Sequence, residues 1–338
     1  MYFGDSMKTF TTKKIARLLG ALGVTLLAGV AGTAANAQAN WPDRPIKLIV
    51  AYPPGGPVDV SGRVFAKFLG EQLNQSVIVE NRAGASGMIG ADATAKSAPD
   101  GYTLNYVASP SLTISPIVQR SKLFDPRKDF TLISPILSYT NMLLVGSQTN
   151  VKTVKELVEY ARQNPDKVTF GSAGFGGSNH LSAELLKQST NTQMLHIPYK
   201  GNAPAMVDVI SGKVTFMFDI VGTGKAFVES GRARALAVTS KTRNPSVPNV
   251  PTMIEAGIAD YEVLGWFAVI GPKGLPADVV AKLTKAVEAA KTSKGFTEAA
   301  VTAGYTIDNG NAKDLEKQIN SEYAMWEGVV TKGKIYPD

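Results

Sequence analysis

Residues 167–182 read Lys-Val-Thr-Phe-Gly-Ser-Ala-Gly-Phe-Gly-Gly-Ser-Asn-His-Leu-Ser. Val168 and Phe170 give the run strand character, and Gly171 ends it. Gly174, Gly176 and Gly177 follow, interleaved with Ser172, Ala173, Phe175 and Ser178. Helical spacing then opens at about Asn179 and continues through Leu181, Leu185 and Leu186. A strand that ends in glycine and serine and flows into a helix presents free backbone N–H groups at the positive end of a helix dipole. Such an end suits a small anion, and a carboxylate fits it.

The same arrangement lies upstream. Lys47-Leu-Ile-Val-Ala-Tyr52 reads as a buried strand, and Pro53-Pro54-Gly55-Gly56-Pro57-Val58-Asp59 breaks it. A helix follows, with Val60, Val64, Phe68 and Leu69 at helical spacing. Asp59 stands where an N-cap is wanted. Two such turns in one chain point to a binding site built from backbone amides.

Composition narrows the class. Lys8, Lys13, Lys14 and Arg17 precede an apolar run from Leu18 to Val30, and Ala35-Asn36-Ala37 is a cleavage-type triplet. Residues 1–37 therefore read as a signal peptide, with the exported chain starting at Gln38 and a periplasmic destination. The apolar run is short for a membrane span. The chain contains no cysteine, so an exported product must be stabilised by core burial rather than disulfides. Its length is enough for two domains. The formal charge of +7 falls to +4 without the leader, and the basic residues are scattered. No nucleic-acid surface is expected from that pattern, whereas a mild positive field draws in anions.

Beyond the leader, strand and helix patterns alternate, which predicts mostly parallel α/β sheets. Thr153-Val-Lys-Glu156 is a capping-box start, and Gly212 suits a helix C-terminus. No repeat or long linker separates the halves. Two domains are then joined by strands that cross between them, placed near 139–146 and 262–270. The expected division is lobe I from 38–142 and 266–338, and lobe II from 143–265.

Enzyme signatures fail one by one. The chain has two histidines, His180 and His196, no HExxH and no carboxylates at ligand spacing, so no metal site and no cofactor are expected. Gly222-Thr-Gly224-Lys225-Ala226 lacks the parts of a Walker loop, Gly174–Asn179 ends in Asn where a dinucleotide fingerprint needs Gly or Ala, and G-x-S-x-G does not occur. Ser178 and His180 are two apart at a helix start, so their side chains diverge. His180 is expected to satisfy a local backbone group.

The ordered motifs Pro54–Asp59, Val79–Gly87, Ala98–Leu104, Gly171–His180, His196–Gly201, Phe216–Asp219, Gly231–Val238 and Val250–Thr252 closely resemble the Bug family, the extracytoplasmic solute receptors of tripartite tricarboxylate transporters. The resemblance spans residues 41–338. It implies a periplasmic-binding-protein fold, two α/β lobes with a ligand cleft between them, and a receptor rather than an enzyme. The implied partners are a small carboxylate and membrane permease subunits, and a monomer is expected. Carried over residue by residue, the ligand-facing positions are Tyr52, Pro54, Gly55, Gly56, Val58 and Asp59 on one side. Ser172, Ala173, Gly174, Phe175, Gly176, Ser178 and His180 lie on the other, and Ser109 and Asp219 face the same cleft. Val58, Phe175 and Ile220-Val221 stand where the family is often more polar. Tyr52 and Phe175 could flank a ring, which favours an aromatic or partly apolar acid over citrate. The alternatives are an exported small hydrolase and a ligand-sensing subunit of a signalling system.

Overall fold

The structure is a computed structural model that describes residues 41–333, 335 and 336. The signal-peptide expectation for residues 1–37 lies outside the described residues. Contacts gather the chain from Arg44 onward into one unit.

In chain order the elements are β1 (Ile46–Val50), α1 (Pro57–Leu73), β2 (Val77–Asn81), a 3-10 turn (Ala85–Gly87), α2 (Met88–Ala95), β3 (Thr103–Ala108), α3 (Ser109–Thr113) and α4 (Ser115–Val118). Then come β4 (Phe130–Gly146), α5 (Val154–Gln163), β5 (Thr169–Ser172), α6 (Ser178–Thr190), β6 (Leu195–Pro198), α7 (Asn202–Ile210), β7 (Phe216–Ile220), α8 (Val221–Glu229) and β8 (Ala233–Val238). The chain closes with β9 (Leu264–Pro272), α9 (Ala277–Thr292), α10 (Lys294–Thr302), β10 (Thr306–Ile307) and α11 (Ala312–Gly333).

The strands run in the order β2-β1-β3-β9-β4-β7-β5-β6, with β8 and β10 paired to β4 off this path. β1 is parallel to β2 and β3, and β5 is parallel to β6 and β7. Every antiparallel pairing involves β4 or β9. The sheet is thus mixed rather than mostly parallel, because the two crossing strands run against their neighbours. β4 is the longer crossing. Its residues 130–140 pair with β9, and 141–146 pair with β7 and β8.

Alternation along β4 feeds two cores. Leu143 and Val145 join Phe170, Phe216 and Phe218 on one face, while Met142 and Leu144 join Met206, Val209 and Met217 on the other. Both faces are apolar because helices cover both. A third core gathers Trp266, Ala268 and Ile270 of β9 with Leu315 and Ile319 of α11. Fully buried Lys291 fixes the return of the C-terminal segment. Its ammonium donates to Ser134 Oγ at 2.9 Å and to the carbonyls of Pro135, Asp308 and Gly310 at 3.1, 2.9 and 3.2 Å.

The capping box at Thr153 forms, with the Glu156 amide donating to Thr153 Oγ1 at 3.1 Å. Gly212 follows α7 at φ +80°, as a helix C-terminus requires. The first helix differs from expectation. α1 begins at Pro57 with Gly56 as N-cap, so Asp59 lies in its first turn and does not cap it. Proline fits there because the first helical N–H has no partner to lose.

Candidate functional site

The loops that leave the carboxyl ends of β1 and β5 each reach the opposite lobe, where open α/β sheets take ligands: Pro53 lies 2.6 Å from where a Cβ on Gly201 would be, and residues 175 and 176 meet Ser86, Ser115 and Gln119. In the β5 loop, Gly174 and Gly176 adopt φ of +119° and +81°. This folds the amides back on their own lobe. Ala173 N–H donates to Asn179 Oδ1 at 3.2 Å, Gly174 N–H to Ser172 Oγ at 3.0 Å and Gly176 N–H to His180 Nδ1 at 3.1 Å. The expected free amides are therefore only part of this loop. Among the described residues, the amides left without a protein partner are those of Phe175, Ser178 and Asn179, two of them in the first turn of α6. The β1 loop behaves alike. Gly55 N–H donates to Asp59 Oδ2 at 3.0 Å, which leaves the amides of Gly56, Val58 and Asp59 at the start of α1.

Charge braces the first loop. Asp59 is 3% exposed and accepts from Arg63 Nε at 3.0 Å and Asn81 Nδ2 at 2.8 Å as well as from Gly55. Burial alone would raise its pKa. The hydrogen bonds from Arg63, Gly55 and Asn81 outweigh burial and hold the carboxyl below its usual range. Asp59 is therefore occupied in shaping the loop. Pro54 and Gly55 are exposed at its tip, and Val58 is buried behind it.

A neutral network braces the second loop. Buried His180 gives up its Nδ1 lone pair to Gly176, which leaves its proton on Nε2. It thus satisfies a local backbone group, as the sequence suggested. Its ring stacks on His196 with centroids 4.2 Å apart, and His196 Nε2 meets Ser172 Oγ at 2.5 Å. Burial, then the neighbouring His196 and Lys187, depress the pKa of His180 far below the usual imidazole value. Burial and Lys187 bring His196 down to about 4. Asn179 Nδ2 donates to Asn202 Oδ1 at 3.0 Å, and Asn202 in turn donates to Asp219. Burial raises the pKa of Asp219, and hydrogen bonds from Asn202, Thr223 and the Ile220 amide offset part of that rise.

Among the described residues, four hydrogen bonds tie the second loop to the opposite lobe. Ser86 Oγ and Gln119 Nε2 donate to the Phe175 carbonyl at 2.8 and 3.0 Å, and Ser115 Oγ donates to the Gly176 carbonyl at 3.3 Å. Tyr139 O–H reaches Ser178 Oγ at 3.4 Å. A Cβ on Gly174 would lie 2.6 Å from Ser86 Oγ, and one on Gly176 would lie 2.8 Å from Ser115 Cα. Glycine at both positions is what lets the second loop lie this close to the opposite lobe.

Ser86 was not among the expected site residues, although it lies inside a motif read from the sequence. Gly84, Ala85, Ser86 and Gly87 all have positive φ, and the strain at Ala85 and Ser86 aims Ser86 across the cleft. Tyr52 O–H and Ser111 Oγ hold the Ser86 carbonyl at 2.9 and 3.0 Å. The expected ring clamp is not what this placement builds. Tyr52 is buried behind Ser86, and Phe175 lies edge-on to His180 and His196 while packing with Ile114, Val118 and Leu181. Ser109 accepts from the Trp266 amide at 3.3 Å at the head of α3. Ser115, Gln119, Tyr139, Asn179 and Asn202 also escaped sequence reading, since each acts through a partner distant in the chain.

Two α/β lobes joined by crossing strands are the architecture of the periplasmic binding proteins. The chain belongs to the tripartite tricarboxylate transporter family of receptors, whose family model matches residues 62–335. It is 35% identical over 318 residues to Protein BugT of Bordetella pertussis, covering 94% of this chain and 97% of that one. The solved periplasmic binding protein BugD superposes with a TM-score of 0.85 at 31% identity, covering 88% of this chain and all of BugD. The R. palustris protein Rpa4515, solved with adipate, gives 0.85 at 35% identity over the same shares.

Proposed function

We propose that this chain is an exported receptor that closes its lobes around one carboxylate of a small acid and hands it to the membrane subunits of a tripartite transporter. The exported form starts near Gln38 and acts as a monomer. One observation carries the reading. The amides of Gly56, Val58 and Asp59 at the head of α1 on one lobe, and of Phe175, Ser178 and Asn179 at the head of α6 on the other, have no protein partner among the described residues. Two helix N-termini stabilise a carboxylate without a counter-cation, through fixed N–H dipoles in a water-poor cleft. The related protein solved with adipate fits an acid of this size.

The Ser172–His196 contact supports binding over hydrolysis. A nucleophile–base pair needs a third group to orient the base, and His196 Nδ1 is buried with no hydrogen-bond partner among the described residues. With a pKa near 4, His196 is also a weak base at neutral pH.

A thermal-shift screen of mono-, di- and tricarboxylates tests the proposal. A ligand at 100 times its Kd adds about 2.7 kcal/mol of stability. A screen in which no carboxylate raises the melting temperature contradicts it.

A further inference from the structure

Asn179, Asn202 and Asp219 stand at the heads of the three helices that follow β5, β6 and β7. Asn179 is the second residue of α6, Asn202 opens α7, and Asp219 lies in β7 two residues before α8. All three are buried. The hydrogen bonds among them run in one direction. The Ile220 N–H donates to Asp219 Oδ1 at 2.9 Å, so that oxygen is an acceptor and Asn202 offers it Nδ2. Asn202 then has Oδ1 left for Asn179, whose Nδ2 donates to it at 3.0 Å. Asn179 has Oδ1 left in turn, and it takes the N–H of Ala173 at 3.2 Å and of His180 at 3.0 Å. A backbone N–H only donates, so the amides at both ends of this chain demand the same orientation of the two asparagines. Gly177 makes room for the last link, since a Cβ there would lie 2.7 Å from Asn179 Oδ1.

We infer that Asp219 is a positioning residue for the second loop: it sets the sense of this relay and, through two asparagines, fixes residues 172–176. Its own carboxyl is engaged within its lobe, with two donors on Oδ1 and Thr223 Oγ1 donating to Oδ2 at 3.0 Å. It therefore acts on a ligand through the loop and not by contact. Turning either asparagine round sets two oxygens together on one side and N–H groups together on the other, which is costly in a buried site. With no acceptor at 219 that penalty is gone at one end. Asn202 is then free to turn, Asn179 follows, and the Ala173 and His180 amides lose their partner. The loop that carries the free amides of Phe175, Ser178 and Asn179 loses its anchor with them. The consequence for binding rests on the receptor reading above, whereas the relay itself is testable without a ligand.

Amide ¹H–¹⁵N spectra of the unliganded exported chain test the relay in four variants. Asp219→Leu and Asn202→Ala cut it, so the Ala173 and His180 signals should leave their native positions. Asp219→Asn keeps an oxygen for Ile220 and Asn202, so both signals should stay where they are. Thr223→Val strips Asp219 Oδ2 of its partner and leaves Oδ1 alone, so both signals should hold even as the melting temperature falls. Titration calorimetry with adipate should follow the same division. Affinity drops at least tenfold in the two cut variants and changes less than threefold in Asp219→Asn and Thr223→Val. An Asn variant that behaves like the Leu variant overturns the inference, because charge and not hydrogen-bond direction is then at work. Native signals or native affinity in the cut variants overturn it too, as does an equal loss in Thr223→Val, which makes the effect one of stability alone. Where Asp219→Leu does not fold, the smaller Asn202→Ala change carries the comparison. If adipate fails to bind the native chain, that result counts against the receptor reading, and the unliganded spectra still decide the relay.

Discussion

The two glycine loops began as near copies in sequence and ended as opposites in structure. The loop at 53–59 is tied to its own lobe by a charge, Asp59, with Arg63, Asn81 and the Gly55 amide around it. The loop at 172–178 is held by neutral groups, the stacked imidazoles and the two asparagines, and its carbonyls are held by the opposite lobe. A charge-assisted brace resists movement. Carbonyls that accept from Ser86, Ser115 and Gln119 are satisfied by protein only when the lobes meet. The first loop is therefore the fixed jaw, and the second is the one whose environment changes on closure.

The largest effect is expected where that difference is sharpest. Gly176→Val places a branched side chain at φ +81° and against the Ser115 backbone, which denies closure. Affinity in titration calorimetry should fall at least a hundredfold while the circular dichroism spectrum is unchanged. Normal binding by this variant would remove the second loop from the site.

Asp59→Asn attacks the fixed jaw instead. It removes the charge from the hydrogen bonds to three partners, and about 1–3 kcal/mol of stability should go with it, along with roughly tenfold in affinity. The pH dependence has a definite sign. The folded pKa of Asp59 is lowered, so its contribution is complete above the unfolded carboxylate value near 3.9 and is lost as pH falls through the folded value. Melting curves between pH 5 and 2 should show a shallower acid slope in the variant.

The imidazole pair loosens the moving jaw in a different window. Both folded pKa values lie below the unfolded value of about 6.5. The unfolded chain therefore binds more protons between pH 6.5 and 4, and stability declines as pH drops through that range. His196 can account for up to about 3 kcal/mol of this. His196→Gln should flatten the melting-temperature profile over that interval and leave the carboxylate region below pH 4 unchanged.

The smallest effect concerns what covers the moving jaw. Trp326 and Val330 of α11, with Ile335 and Tyr336 beyond it, pack with Phe175 and Leu181 of the opposite lobe. Trp326→Ala should weaken binding several-fold, chiefly through a faster off-rate in stopped-flow measurements, by favouring the open state.

Much of this frame was legible in the sequence because it is local. Strands that end in glycine, the capping box at Thr153 and the turn at Gly212 each depend on a few adjacent residues. The first half of β4 was not legible. Pro135, Thr131 and Ser134 interrupt its pattern, and the structure accommodates them with register shifts on either side of Ser134 and Pro135. α8 escaped because it follows β7 with no turn and carries Gly222 and Gly224, which lower helix propensity. Of the site, the glycine loops could be read but their inward-turned amides could not. Those amides are consumed by Asn179, His180 and Ser172, and only folding decides that. Ser86 sat in plain view within Gly84-Ala-Ser-Gly87, yet its partner is Phe175, which packing alone brings near.

The central claim is that amides from both jaws hold one carboxylate. A residue-resolved ¹H–¹⁵N titration with a carboxylate that binds tests it most directly. The account predicts that Gly56, Val58, Asp59, Phe175, Ser178 and Asn179 shift together along a single binding isotherm. Ala173, Gly174 and Gly176, already bonded within their loop, should move much less. Large shifts confined to one loop, or led by the inward-turned amides, would contradict it.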